Sequence, residues 1–284
     1  MKHIFYISFI LSLLFLIFLT SCNPNSGRTT NSGNSGGTTN SGNSGETTKE
    51  EMYEAKLAEL RDQIINNAID ELNTRVSNAQ ITLSIHANQN WNAEGYEQFN
   101  MHYDSTNKKV FDILKKDNKL YYHDDNKNAR RKFYLALEYH EASIVSFGSI
   151  LNMLSKGAVD SPQNKQYSLL KDIVEATSKF ATNYFEVALT TLTNKKDKLT
   201  SLSLEELKEL QNKFRRLEEQ RQLIRKRADE IQNKFKDANT TIGTQNNLIK
   251  YIEDEHQAAF IQAFAKIETL ANEIKEILDK LDKI

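Results

Sequence analysis

Residues 203–238 read SLEELKELQNKFRRLEEQRQLIRKRADEIQNKFKDA, and this stretch decides the fold of the chain. Apolar residues recur in it at steps of three and four, as they do along one face of an α-helix. Ser203 and Glu206 have the spacing of a capping box, and Leu202 and Leu207 have that of a hydrophobic staple. The pattern predicts one helix of over roughly 30 residues, about 50 Å long.

Ten positions of this helix form an apolar stripe, and Arg221 is its single polar member. The stripe consists of Leu207, Leu210, Phe214, Leu217, Arg221, Ile224, Ala228, Ile231, Phe235 and Ala238. An amphipathic helix of this length is stable in a protein mainly because other elements cover its apolar face. The rest of the chain should therefore supply helical partners.

Four other segments carry the same spacing of apolar residues. The helix at 49–84 has the stripe Leu57, Leu60, Ile64, Ala68, Leu72, Val76 and Ala79, and a helix closed by Gly157 has Phe133, Leu137, His140, Ile144, Phe147, Leu151 and Leu154. A helix that opens at Asp160-Ser161-Pro162 has the stripe Tyr167, Leu170, Val174, Thr177, Ala181, Tyr184 and Ala188. The last helix has Phe260, Ala263, Ile267, Leu270, Ile274, Ile277, Leu281 and Ile284. A shorter helix is expected at 108–121. We interpret His140 as a buried, hydrogen-bonded core residue.

These segments predict an all-α domain at 49–284, an up-down bundle of about five to seven long antiparallel helices. The composition agrees, because this part of the chain is poor in glycine and proline and rich in Leu, Ile, Lys and Glu. A domain of this length can bury roughly 70% of its unfolded surface. Helix packing must stabilise it, since its residues include no cysteine.

The N-terminus predicts a lipoprotein signal peptide at 1–21. An apolar run from Ile4 to Leu19 follows a single lysine and ends in Leu19-Thr20-Ser21-Cys22. The last four residues resemble the bacterial lipobox. That resemblance implies a diacylglycerol thioether on Cys22, cleavage before it and acylation of its amine. Two or three acyl chains hold a protein durably on a membrane.

Residues 22–48 hold the lipidated cysteine and a flexible tether. The sequence Thr-Thr-Asn-Ser-Gly-Asn-Ser-Gly occurs twice, at Thr29–Gly36 and at Thr38–Gly45. Such a composition cannot bury apolar surface and predicts disorder. A coil of this length has a reach of roughly 30 Å, so a folded domain would stand clear of the lipid.

Charge and motifs exclude several classes of function. The mature chain carries 36 basic against 38 acidic residues, because Lys2 is removed with the signal. No nucleophile elbow, phosphate-binding glycine loop or zinc-binding HExxH motif is present, and the histidines lack metal-ligand spacing. We therefore expect no enzyme, no metal and no cofactor other than the covalent lipid. Export to a membrane surface excludes nucleic acid as a partner.

Two segments are candidate binding sites for a partner. The long helix carries a basic cluster, of which we single out Arg215, Arg216, Arg225, Lys226 and Arg227. It is either a solvated face laced by pairs such as Arg215–Glu219 and Arg225–Asp229, or a site for an acidic or sulfated partner. The second segment is the aromatic stretch 86–107, with Trp91, Tyr96, Phe99 and Tyr103. Its rings either plug the end of the bundle, which we favour, or bind a protein.

The signal, the tether and the lysine-rich helical domain together resemble an outer-surface lipoprotein of the Lyme-disease spirochaetes, the genus Borrelia. The stretches Arg130-Arg131-Lys132-Phe133-Tyr134-Leu135-Ala136-Leu137-Glu138-Tyr139 and Phe147-Gly148-Ser149-Ile150-Leu151 resemble paralogous family 54, which includes the complement-regulator-acquiring surface proteins. The resemblance implies a helical bundle at the cell surface that binds host or tick proteins. Some family members bind factor H or terminal complement components. No binding residue carries over.

We therefore predict a lipid-anchored protein of the cell outer membrane, exposed at the surface, that takes part in immune evasion and virulence. Its expected partner is a host serum protein of the complement system, factor H or a terminal component. The alternative is an adhesin for glycosaminoglycan or for a receptor in the gut of the tick vector. A structural lipoprotein facing the periplasm is a third interpretation. Whether the chain is a monomer or a homodimer stays open.

Overall fold

The computed structural model describes residues 49–103, 108–161, 163–237 and 241–283. The predicted signal peptide, Cys22 and the tether lie outside the described residues, as do Pro162, Ala238 and Ile284. The elements in chain order are α1 (Lys49–Ala87), β1 (Lys115–Lys116), β2 (Lys119–Leu120), α2 (Lys127–Ala136), α3 (Glu141–Leu154), α4 (Lys165–Ala181), α5 (Thr190–Lys195), α6 (Leu204–Lys236), α7 (Gln245–Glu255) and α8 (Gln257–Asp279).

A π-helical stretch, Thr182–Leu189, joins α4 to α5, so the chain is helical without a break from 165 to 195. With this run counted once, the described residues form seven helical rods, and their strands are a two-residue antiparallel pair. The predicted all-α bundle is confirmed. Within the described ranges, no helix combines the length and apolar character that a bilayer span requires.

Four long rods alternate in direction. Antiparallel packing of α6 and α8 follows from two pairs, Glu206 with Lys280 at 2.7 Å and Lys213 with Glu273 at 3.1 Å. The run 165–195 lies parallel to α8, because Lys179 pairs with Glu268 and Lys195 with Asp282. Glu71 of α1 accepts a hydrogen bond from Gln211 of α6. Farther toward the C-terminal ends of the same two helices, Thr82 and Arg221 line one cavity, so α1 and α6 are parallel. Thus α1 and α6 point one way, and the other two rods point back.

The start of α6 is as predicted. Ser203 Oγ accepts from the Glu206 amide at 3.2 Å, and Glu206 Oε2 accepts from the Ser203 amide at 3.1 Å. Leu202 and Leu207 are both buried, as a hydrophobic staple requires. Seven of the stripe residues are buried in the core, namely Leu207, Leu210, Phe214, Leu217, Ile224, Ala228 and Ile231. The helix runs for 33 residues.

The predicted single helix over 133–154 is wrong, because the chain turns sharply between α2 and α3. Glu138 and Tyr139 have φ angles of 55° and 58°, in the left-handed region. His140 precedes α3 and is half-buried, and its Nδ1 is hydrogen-bonded to Ser143 Oγ at 2.9 Å, so it is not a core residue. The apolar spacing survives the turn because each helix presents its own apolar face to the bundle.

Three other boundaries differ from prediction. Residues 108–121 form a 3-10 turn (Val110–Asp112) and the β1–β2 hairpin, whose turn residues Asp117 and Asn118 have positive φ. Helix α4 begins at Lys165, because Asn164 Oδ1 caps it by accepting from the Tyr167 amide at 2.8 Å. The last helix is divided at His256 into α7 and α8.

The predicted stripe of the first helix is buried only in its second half. Ala68, Leu72, Val76 and Ala79 are in the core, whereas Leu57, Leu60 and Ile64 are exposed. Every residue from 49 to 64 is exposed, so the first sixteen residues of α1 extend beyond the body of the bundle. Periodicity could not separate the two halves, since it reports which face is apolar and not whether anything covers it.

Candidate partner-binding surfaces

A largely enclosed ionic cluster holds the centre of α6 against the turn between α2 and α3. Arg221 Nη1 donates to Glu138 Oε1 at 2.6 Å, and Arg221 Nε and Nη2 donate to the two Glu218 oxygens at 2.8 and 2.7 Å. The guanidinium carbon also lies 5.6 Å from the centre of the Tyr184 ring. Arg221, the polar residue in the apolar stripe of α6, thus has its ionic partners within the protein.

Burial and ion pairing shift the pKa values of the two carboxyl groups in this cluster in opposite directions. Burial raises the pKa of Glu138, and the attraction of Arg221 only partly offsets it. Burial would also raise the pKa of Glu218, but hydrogen bonds from Arg221 and Tyr184 outweigh it and the pKa is lowered. Tyr184 donates to Glu218 Oε2 at 2.7 Å from the π-helical stretch. Such stretches are frequent at functional sites.

A cavity of about 240 Å³ lies beside the cluster, between α1, the π-helical stretch and α6. Its wall is mixed, with apolar side chains facing charged ones: Ala79, Phe185, Leu189, Phe214 and Leu217 against Arg75, Glu138, Glu218 and Arg221. The two arginines and two glutamates cancel in charge. Arg221 pairs with both glutamates, and Arg75 pairs with Glu71 on its own helix, so these charges stabilise the fold.

The five basic residues predicted as a site do not form one patch. Successive residues of a helix point about 100° apart, so Arg225 and Arg227 lie on opposite flanks of Lys226. Arg215 and Lys226 share the most exposed face of α6, and Arg216 is also exposed.

Some of these residues have partners within the protein. Arg215 Nη2 donates to Asn212 Oδ1 at 2.7 Å, and Arg227 Nη1 lies 3.3 Å from Glu230. Burial raises the pKa of Glu138 and of Asp229, and the nearby positive charge of Arg225 partly offsets the rise in both.

The loop at 88–103 is clamped to α2 by a buried arginine. Arg130, which is 1% exposed, donates from Nε and Nη2 to the two Glu94 oxygens at 3.0 and 2.9 Å. Its Nη1 donates to the carbonyls of Tyr121 and His123, and Tyr134 donates to Glu94 at 3.0 Å. A bidentate, fully hydrogen-bonded pair of this kind fixes orientation. The loop is therefore a rigid feature.

Trp91 belongs to the core side of this loop. Its ring lies 4.8 Å from Tyr139 and 5.7 Å from Tyr134, and Arg131 sits 5.8 Å from its centre. Phe99 stacks nearby at 6.2 Å. For Trp91 the geometry favours the interpretation in which the rings close the end of the bundle.

Tyr96 lies on the outer side of the same loop. The residue is 67% exposed, and its ring meets the His102 ring edge-on at 5.1 Å. His102 is buried, pairs with Asp112 and stacks on Tyr122 at 4.3 Å. An open cavity of about 480 Å³ adjoins Tyr96 and is walled by the loop and by residues 122–124. An exposed aromatic ring on a fixed base is the form that protein-binding anchors take.

Sequence reasoning missed the residues that build this platform. Arg130 and Glu94 are 36 positions apart, and no spacing rule links them. The one available signal was the arginine pair Arg130-Arg131 beside an aromatic run on a short helix, since buried arginines need partners. Across the described parts of the chain, no three His, Cys, Asp or Glu side chains converge as a metal site would require.

Comparison with known proteins finds one matching family and several solved structures of similar fold. Residues 88–279 match the family model described as Borrelia Bbcrasp-1 domain containing protein. No curated protein matches the sequence. A solved structure titled Lyme disease associated outer surface protein BBA65 from Borrelia burgdorferi is 19% identical, with a TM-score of 0.56, covering 74% of this chain and 99% of that one.

Borrelia burgdorferi outer surface lipoprotein BBA64 is 23% identical, with a TM-score of 0.54 and coverage of 78% and 98%. Outer surface protein BBA66 from the same organism is 19% identical, with a TM-score of 0.55 and coverage of 74% and 99%. At these identities the likeness concerns the fold, and it confirms the helical architecture.

Proposed function

The chain belongs to the family of Borrelia Bbcrasp-1 domain containing proteins, and we propose that it is a lipid-anchored protein of the outer surface whose helical domain binds a host protein. The proposed partner is a complement component, factor H or a terminal component, and the proposed outcome is protection from immune attack. The chain would act by binding and not by catalysis. Similar structures carry the names outer surface protein and outer surface lipoprotein.

The lipid anchor is supported by the sequence alone. An apolar run too short to span a bilayer comfortably leads to Leu19-Thr20-Ser21-Cys22. Diacylglycerol on Cys22 and an acyl chain on its amine would hold the protein at the cell outer membrane. The tether at 23–48 would then present the bundle clear of the lipid.

The exposed Tyr96 ring, set on a loop that the Arg130–Glu94 pair immobilises, is the observation that supports binding of a protein. Aromatic side chains contribute much of the binding energy of protein interfaces, and a rigid loop loses little entropy when it binds. Trp91 would support the loop from below and not touch the partner directly.

A serum pull-down tests this proposal. The mature chain from residue 22 is made without lipid and immobilised in three forms: wild type, Tyr96→Ala and Tyr96→Phe. We expect a complement protein on the wild type and on Tyr96→Phe, which keeps the ring, and at least about tenfold weaker retention on Tyr96→Ala. Retention of no serum protein above a bare-bead control would overturn the complement proposal. Equal retention by all three forms would remove Tyr96 from the site.

The alternative, an adhesin for glycosaminoglycan or a tick-vector receptor, rests on the outer face of α6. Arg215 and Lys226 are exposed there, Arg216 is exposed about 100° around the helix, and arginine suits sulfate groups. Glu219 is exposed on the same face between Arg215 and Lys226. Its negative charge reduces the positive potential that would attract an anionic polysaccharide. Binding to heparin that falls steeply with salt and is lost in Arg215→Gln/Lys226→Gln would favour this alternative.

A further inference from the structure

The exposed first part of α1 presents an apolar stripe with coiled-coil spacing. Tyr53, Leu57, Leu60 and Ile64 follow one another at steps of four, three and four. Their exposed fractions are 70%, 60%, 46% and 41%, although such residues are usually buried. Steps that alternate between three and four place the side chains at the a and d positions of heptads.

This segment needs a partner for its own stability. The first sixteen residues of α1, 49–64, are all exposed and span about 24 Å of helix. An isolated helix of that length is marginal in water. The stripe continues into the core residues of α1, so one apolar face runs along the whole helix. The rest of the bundle covers that face only from Ala68 onward.

We propose that this stripe binds the same stripe of a second copy of the chain, as a short antiparallel coiled coil. The helical segment 49–64 is the contact, and the two bundles lie at its opposite ends. A twofold axis near residues 57–60 would place Leu57 against Leu60 of the partner subunit and Tyr53 against the partner's Ile64. Each copy gives and receives the same contacts, as in isologous dimers.

Flanking charges select the antiparallel direction. With Leu57 and Ile64 at a positions and Tyr53 and Leu60 at d, Glu54 and Arg61 are at e, and Lys56 is at g. In a parallel pair, g faces e five residues on, which would set Lys56 against the partner's Arg61. In an antiparallel pair, e faces e, which sets Glu54 against the partner's Arg61 twice. Opposite charges then meet in place of like charges.

The lipid surface is a poorer occupant for the stripe. Residues 49–64 carry five acidic side chains, at 50, 51, 54, 59 and 62, against three basic ones, at 49, 56 and 61. Helices that lie on membranes usually have a basic polar face.

A contact of about two heptads is small beside standard interfaces, so the dimer would be weak in solution. Anchoring of both copies on one membrane would strengthen it by raising their local concentration.

Charge reversal tests the proposal in the mature chain, made without lipid. The variants Glu54→Arg and Arg61→Glu change exposed residues of α1 and leave the body of the bundle intact. Sedimentation over a wide concentration range measures dimerisation of each variant and of their equimolar mixture. We expect the wild type to dimerise, each variant alone to dimerise about tenfold more weakly, and the mixture to recover wild-type affinity.

Recovery in the mixture is specific to this geometry. In the Glu54→Arg variant both e positions are basic, and in the Arg61→Glu variant both are acidic, so only a mixed dimer pairs opposite charges. A wild type that stays monomeric at all concentrations overturns the proposal. So does a wild-type dimer that neither reversal weakens, or a mixture that dimerises no better than the variants. The substitution Leu57→Asn serves as a second probe. If the wild type does not dimerise but binds neutral lipid vesicles, and Leu57→Asn loses that binding, the stripe binds lipid and the dimer proposal is wrong.

Discussion

Arg221 Nη1 lies 2.6 Å from Glu138 Oε1, which joins the middle of α6 to the left-handed turn between α2 and α3. The turn has neither glycine nor proline, so its positive φ angles are strained conformations for Glu138 and Tyr139. The ion pair and the packing around it compensate for that strain. A residue that interrupts the apolar stripe of one helix is thereby paired with the turn at which another helical segment breaks.

The substitution Arg221→Met should therefore lower the free energy of unfolding by about 3 kcal/mol. It leaves the carboxylates of Glu138 and Glu218 in a largely enclosed site without their shared cation. Urea unfolding at pH 7 measures the loss. Arg216→Met removes the same charge from an exposed position and should cost less than about 0.5 kcal/mol. Similar losses in the two variants would contradict a structural role for the cluster.

The loop that carries Tyr96 should depend on Glu94. Glu94→Gln leaves the guanidinium of Arg130, which is 1% exposed, without its carboxylate. We expect a loss of about 3 kcal/mol in unfolding free energy, together with faster amide hydrogen exchange across 88–103. Glu97→Gln is the matched control, since Glu97 is exposed in the same loop. Unchanged exchange in Glu94→Gln would show that the clamp does not immobilise the loop.

Stability should fall as the pH drops below about 6.5, because of His256. This side chain is 2% exposed between α7 and α8, and burial lowers its pKa. The unfolded chain therefore takes up a proton at a pH where the folded chain resists it. The contribution of neutral His256 to stability is complete above pH 6.5 and is lost progressively below it.

His256→Gln should remove that dependence, which unfolding at pH 7.5 and pH 5 measures. His123→Gln is the control, because the His123 side chain is exposed. An equal decrease in stability between the two pH values for wild type and His256→Gln would assign the acid sensitivity to other groups.

Lipidation should depend on Cys22 alone. Cys22→Ala removes the one thiol of the chain, so we expect loss of palmitate labelling and release of the protein from the membrane fraction. Ser26→Ala, four residues on, should leave both unchanged. Treatment of intact cells with proteinase K separates display from a periplasmic location, since a displayed wild-type protein is degraded. Palmitate label retained by Cys22→Ala would refute the proposed anchor.

Local signals of the chain were sufficient for the helical architecture. The capping box at Ser203, the stripe of α6 and the shortage of glycine and proline each depend on residues within a few positions of one another. The break at 137–140 had no local signal. The partner of Glu138 in that turn is Arg221, which lies 83 residues away in the sequence.

The candidate surfaces divide in the same way. Composition alone indicated an aromatic loop and a basic helix, but only the structure separates Trp91, which packs on Tyr139, from Tyr96, which faces solvent. It also distributes the five basic residues around α6, where the sequence suggested a cluster.

By itself, the sequence determined an all-α bundle, the position and length of α6, and an N-terminus with the pattern of a lipoprotein. Apolar periodicity and helix capping depend on residues close together in the sequence, so they predict a helix whatever element covers its apolar face. Only the tertiary structure decided that Arg130 is buried, that Arg221 is enclosed by its partners, that Tyr96 is held outward and that the first stripe of α1 is uncovered. Those outcomes depend on contacts between distant segments, because burial is a property of the assembled bundle and not of any one helix.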